Sequence, residues 1–190
     1  MKKIIFILFL ALTVSGCASL GANPYILSSK QTTLDLTNNR GVALFTLKVQ
    51  NSGNTRLLLS SFNAYEANQY KPYNSLSNFY IPLSNDNYSA ADDLYFCTAV
   101  LTGGIYRIDA FSGMTNAFFA IPYSLKTDKI FDIYPNTINY LGRLDFGALN
   151  TQTALMPLKS VSDSSGEDIE KFKTIFPVLK DKKIENNSFY

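Results

Sequence analysis

Histidine and tryptophan are both missing from this chain of 190 residues. Without histidine there is no imidazole base, no Ser-His-Asp or Cys-His arrangement and no principal zinc ligand. Paired carboxylates remain a route to hydrolysis. The candidates Asp92, Asp93 and Asp109 stand in no supporting motif, however, and a carboxylate hydrolase would need Asp93 and Asp109 to meet in one cleft. Asp92-Asp93 reads instead as a polar turn. Gly103-Gly104 is also a turn, because no helix opening on Lys-Ser/Thr follows to make a phosphate loop. These absences point away from an enzyme, a metal site and a bound cofactor.

Cysteine is nearly absent too, with Cys17 and Cys97 alone. Cys97 lies in the apolar run Leu94-Tyr95-Phe96-Cys97-Thr98-Ala99-Val100 and is expected to be a buried, inert thiol. Charge of one sign is lacking as well. The 17 Lys and Arg against 15 Asp and Glu fall to 15 of each once Lys2 and Lys3 are lost with a leader. A near-neutral chain with no basic stripe offers little to phosphates, which argues against nucleic acid.

The one long apolar run is at the start. Met1-Lys2-Lys3 precedes Ile4 to Val14, in which Thr13 is the only polar residue. That is secretory-signal geometry, too short to span a bilayer, which takes ~20 residues. Val14-Ser15-Gly16-Cys17 resembles the lipobox of bacterial lipoproteins. The resemblance implies removal of residues 1–16, a diacylglyceryl group on Cys17 and a membrane as first partner. Ala18, rather than Asp, follows Cys17, which in Gram-negative relatives implies the outer membrane, with the domain facing the periplasm. The alternative is ordinary cleavage after Leu20-Gly21-Ala22, giving a soluble periplasmic protein.

Taking 16 residues from 190 leaves 174, enough for one domain with a core. Residues 17–30 are small and polar and predict a tether. Residues 31–160 read as an all-β, antiparallel β-sandwich. In 41–50 Ala43, Phe45, Leu47 and Val49 point one way, and Asn51-Ser52-Gly53-Asn54 suggests a hairpin to the next strand. Strands are also predicted over 95–101, 105–111 (with Tyr106, Ile108 and Ala110 on one face), 116–123 and 129–133. Over 137–146, Ile138, Tyr140, Leu144 and Phe146 face in while Asn139, Arg143 and Asp145 face out. The stretch 63–93 is a polar insertion or long loop, whose Tyr65, Tyr70, Tyr73, Tyr80 and Tyr88 could stack on a sugar or protein, or cover the core's rim.

A C-terminal α-helix within 161–179 is expected to pack on the sandwich. Ser164-Ser165-Gly166-Glu167 fits a capping box, Glu167 and Asp168 suit the positive end, and Ile169, Phe172, Ile175 and Phe176 form an apolar stripe ended by Pro177. Residues 180–190, charged and Asn-rich, are expected to be a loose tail.

Two stretches resemble a known family. Leu101-Thr102-Gly103-Gly104-Ile105-Tyr106 is similar to the "Leu…Pro-Gly-x-Tyr" hairpin of transthyretin-like and carboxypeptidase-regulatory-like sandwiches, with Gly103 in place of the Pro. Ile138-Asn139-Tyr140-Leu141-Gly142-Arg143-Leu144 resembles the "Tyr-x-Gly-x-Leu" strand of prealbumin-like bacterial lipoproteins of unassigned function. Phe176-Pro177-Val178-Leu179 resembles their "Phe/Tyr-Pro-x-Leu" close. The likeness covers about residues 95–180, implies a prealbumin-like or Ig-like sandwich, and carries no catalytic residue. Together these readings predict a lipid-anchored, non-enzymatic interaction or accessory module for an envelope protein partner, or else a glycan or small-ligand binder using 63–93.

Overall fold

The computed structural model describes residues 25–50, 58–66, 79–82, 87–114, 122–148 and 155–190, of which 58–66 and 79–82 are described as backbone alone. Two sheets and one helix make three layers. The first sheet holds β1 (Arg40–Gln50), β4 (Tyr88–Ser89), β5 (Leu94–Thr102), β8 (Ile138–Ala148) and β10 (Ser160–Ser162), in the order β10-β8-β1-β5-β4, with β11 (Glu185–Asn186) also on β8. The second holds β2 (Leu58–Glu66), β3 (Phe79–Pro82), β6 (Gly104–Met114), β7 (Pro122–Ile133) and β9 (Leu155–Pro157), in the order β3-β2-β6-β7-β9. Helix α1 (Ser165–Ile175) and a 3-10 turn (Pro177–Leu179) cover the first sheet's other face.

The expected antiparallel sandwich is corrected in one respect. The sheets are mixed, because β1 runs parallel to β8, β7 to β9 and β8 to β11. Both expected hairpins are corrected as well. β1 pairs with β5 and β8 while β2 pairs with β3 and β6, so the chain between β1 and β2 changes sheet. It changes sheet again at Gly103, between β5 and β6. Turn residues report that the chain reverses, but not which sheet receives it.

Ala43, Phe45, Leu47 and Val49 do share one face, packed with Cys97, Phe111, Phe131 and Phe146 between the sheets. Phe45 meets Phe111 across the gap at 5.8 Å. The opposite face of β1 and β5, with Val42, Leu44, Phe96 and Val100, packs on Phe172 and Phe176 of the helical layer. Phe172 stands edge-on to Phe96 at 5.1 Å. Double-sided burial explains why β5 reads as a nearly unbroken apolar run rather than an alternation. Burial also raises the pKa of the free Cys97 thiol and keeps it protonated.

Two bulges shift the alternation. In β6, Tyr106 and Ile108 face the core as expected, but an irregularity after Ile108 hands the next inward position to Phe111 instead of Ala110. In β8 the register slips between Tyr140 and Arg143, at Gly142 with φ +115°. Ile138 and Tyr140 therefore face the helix while Leu141, Leu144 and Phe146 face the second sheet. Asn139, expected outside, is fully buried, donating to the Val42 carbonyl at 3.2 Å and accepting from Asn187 at 2.8 Å.

Both chain ends of the domain correct the sequence reading. Tyr25 bridges Val100 and the Leu27 amide donates to Thr98 at 2.8 Å, so the expected tether is already docked along β5 by residue 25. The expected loose tail is ordered. Asn187 and Phe189 donate backbone bonds to Tyr140 and Leu141 on β8, and Tyr190 exchanges two with Ile130 on β7. The segment thus laces one sheet to the other. Its Phe189 ring fills the core between Phe45 and Phe131, at 5.8 and 5.6 Å. Eight polar or charged residues among the eleven of 180–190 hid one apolar plug.

Candidate functional site

The bulge at Gly142 has a chemical consequence. Tyr140 and Arg143, three residues apart, would lie on opposite faces of a regular strand. The extra residue turns both toward α1, where they meet Asp168, which is fully buried. Asp168 accepts hydrogen bonds from Thr46 and Tyr140 hydroxyls, each at 2.6 Å, and from both Nε and Nη2 of Arg143. A buried carboxylate so fully engaged offsets its desolvation with charge-assisted bonds.

The network continues outward. Arg143 also donates to Glu167 at 3.0 Å, Glu167 accepts from Lys171 at 2.9 Å, and Lys171 reaches Asp92 at 3.0 Å. Asp92 in turn accepts from Ser89 at 2.8 Å. Burial works against the Arg143 charge, but the bonds to Asp168 and Glu167 outweigh it and raise its pKa. Burial and the neighbouring Asp168 raise that of Tyr140. Lys171 and then Ser89 lower the Asp92 pKa, and Lys171 and then Arg143 lower that of Glu167.

Its outer end is the rim of a cleft of about 360 Å³ between the β4–β5 turn and the helix, lined by Asn87, Tyr88, Ser89, Asp92, Phe96, Lys171, Thr174 and Ile175. Phe96 and Ile175 give it apolar lining. Asn87, Ser89, Thr174 and Lys171 give it amide, hydroxyl and ammonium groups. This pairing of an apolar surface with a few polar groups suits a small, partly apolar, hydroxyl-bearing molecule.

Of the five tyrosines singled out, Tyr88 alone is placed in this cleft. Its hydroxyl donates to Asp93 at 3.0 Å and its ring packs on Tyr95 at 4.5 Å. Tyr65 and Tyr80 belong to β2 and β3 of the other sheet, opposite Arg107 and Asn63, and their side chains lie outside the described residues. Tyr70, Tyr73 and Cys17 also lie outside them. Asp93 immediately precedes β5 of the first sheet, whereas Asp109 pairs with Arg107 on β6 in the second, so the two carboxylates do not share this cleft.

The expected capping box is replaced. Ser164 makes no side-chain cap, the Ser165 amide donates to Asp163 at 2.9 Å, and Glu167 is drawn away by Arg143 and Lys171. Sequence reading also missed Asp168 as a hub. Its signal was present: Asp168 precedes Phe172 and Phe176 by one and two turns, so it lies in line with the buried stripe.

Among the described residues no helix is long and apolar enough to cross a membrane. No curated protein and no solved structure matches the chain. Residues 1–18, which include Cys17, match the family model of the prokaryotic membrane lipoprotein lipid attachment site. By that match the chain carries the signal of a membrane-anchored lipoprotein of the bacterial cell envelope.

Proposed function

We propose that the chain is a non-enzymatic lipoprotein, lipidated on Cys17 and held on the periplasmic side of the outer membrane, where its domain serves as an interaction or accessory module. The lipid-attachment match over residues 1–18 carries this reading. Two or three acyl chains, at ~0.8 kcal/mol per buried CH₂, make a stable anchor where one is marginal. Ala18 after the Cys supports the outer membrane, and the lack of histidine supports a role without acid–base catalysis.

Changing Cys17 to Ser should abolish acyl-label incorporation and leave uncleaved precursor, and normal processing of that variant would favour the soluble alternative. Crosslinking in intact cells, followed by fractionation of the two membranes, should give one recurrent envelope partner in the outer-membrane fraction. Recovery of none across several growth conditions would sink the module reading.

The cleft beside Lys171 favours a second reading, a binding module for a glycan or other small ligand. Titration of the domain with peptidoglycan fragments should show binding that weakens at least tenfold in Tyr88→Ala. Unchanged affinity in that variant would remove the cleft from consideration.

A further inference from the structure

The direction in which the chain enters the domain orients the molecule on its membrane. Tyr25 bridges Val100 in antiparallel sense, and Leu27 follows alongside Thr98. Tyr25, the first described residue, therefore lies toward the Thr102 end of β5, and Leu27 lies further toward its Leu94 end. Tyr25 is eight residue steps from Cys17, a reach of at most ~29 Å at ~3.6 Å per residue. The lipid thus tethers one particular end of the sandwich.

That end is built from three turns in mutual contact. The Gly103 amide donates to the Asn39 carbonyl at 2.6 Å, and the Asn136 amide donates to the Arg40 carbonyl at 2.7 Å. A Cβ at Gly103 would lie 2.7 Å from the Pro135 ring. The turns read Thr37-Asn38-Asn39, Gly103-Gly104 and Tyr134-Pro135-Asn136-Thr137, and none bears a charge. Of the charges beside these turns, Arg40 and Asp35 face each other at 3.8 Å, with Arg40 also over the Tyr25 ring, and Asp132 accepts from the Tyr190 hydroxyl at 2.9 Å. Tyr134 projects from this end, 48% exposed. An uncharged, Asn-rich surface with one protruding tyrosine suits the headgroup layer, where charge desolvation is avoided and a tyrosine keeps its hydroxyl wet.

Resting on the lipid-anchor reading above, we infer that the end of the domain formed by residues 37–39, 103–104 and 134–137 lies against the lipid headgroups of its own membrane. Tyr134 sits in the interface. The cleft lies at the other end of β5, because Asp92 precedes Leu94 and the tether enters at Val100, six residues or ~20 Å along the strand. The anchor thereby presents the Lys171–Asp92 rim away from the bilayer.

The chain has no tryptophan, so each introduced one reports a single place. Lipidated full-length Tyr134→Trp and Thr174→Trp would be reconstituted in phosphatidylethanolamine–phosphatidylglycerol vesicles containing brominated acyl chains. The expected result is at least a twofold loss of Tyr134→Trp emission, with no loss for Thr174→Trp. In the protein without either change, amides of 37–39, 134, 136 and 137 should exchange at least threefold more slowly on vesicles than in the Cys17→Ser protein, while those of 90–93 stay unchanged. Flotation is scored first. Protein that fails to float with the vesicles refutes the anchor, whereas floating protein with equal quenching at both tryptophans, or no slowing at 134, 136 and 137, refutes the orientation alone.

Discussion

The two faces of the first sheet are buried by different means. Toward the second sheet, β1, β5 and β8 present Phe45, Cys97, Leu144 and Phe146, and packing is aromatic and aliphatic throughout. Toward the helix, the same strands present Val42, Phe96 and Tyr140, but also Thr46 and Arg143, which hold the buried carboxylate of Asp168. An apolar face fixes separation and tolerates sliding of one layer on the other. A charge that must find four donors fixes position, since any slide leaves it unpaired. The helix carrying one wall of the cleft is therefore docked by direction as well as by area.

The difference predicts unequal damage. Arg143→Ala leaves Asp168 buried without its counter-charge and should cost ~3–5 kcal/mol. Amide exchange should accelerate over 165–175 before it does over β6 and β7, and uniform acceleration would show that the two faces are not separable. Phe189→Ala strikes the other face, emptying the space between Phe45 and Phe131, and should cost ~3 kcal/mol in urea denaturation. Its local effect should fall on β7 and β8, which the C-terminal segment laces together.

Gly142→Ala tests how the faces are exchanged. A side chain there meets a φ of +115° and would sit 3.0 Å from the Ser162 carbonyl of β10. The expected cost is ~1–3 kcal/mol. If the bulge relaxes to a regular strand, Tyr140 and Arg143 part onto opposite faces, and the substitution should loosen the helix as Arg143→Ala does. A loss of the same size with unaltered exchange over 165–175 would mean the glycine serves only its contact with β10.

These sites explain how far the sequence could be read. The odd positions of β1 and the Phe172–Phe176 stripe were legible because a single periodicity runs through each. β8 was half legible. Its alternation was visible, but Gly142 resets the phase, so Tyr140 and Leu144, four residues apart, end on opposite sides. Asp168 was read for its helix position, although its burial followed from the stripe it shares with Phe172. The C-terminal segment was misjudged because composition averages over residues, and Phe189 is one among many polar neighbours. The cleft had no linear signature, being assembled from 87–96 and 171–175 only when α1 is docked.

The smallest predicted effect concerns the outer end of the polar network. Asp92 and Glu167 both have depressed pKa values through Lys171, so their ionised forms are favoured by folding. Their contribution is present above the ordinary carboxylate range and is lost as pH falls through it toward the depressed values. Lys171, raised by Glu167 and then Asp92, contributes below its ordinary value of ~10.4 and loses that contribution as pH rises beyond it. The rim is therefore complete between roughly pH 5 and pH 10. All three groups are solvent-accessible, and screening holds the stabilisation to ~0.2–1 kcal/mol. Stability curves of the parent and Lys171→Met should thus differ by that much at pH 7 and converge near pH 3. Curves that stay parallel into acid would show that the difference does not come from the ion pairs at the rim, which then contribute nothing to docking the helix.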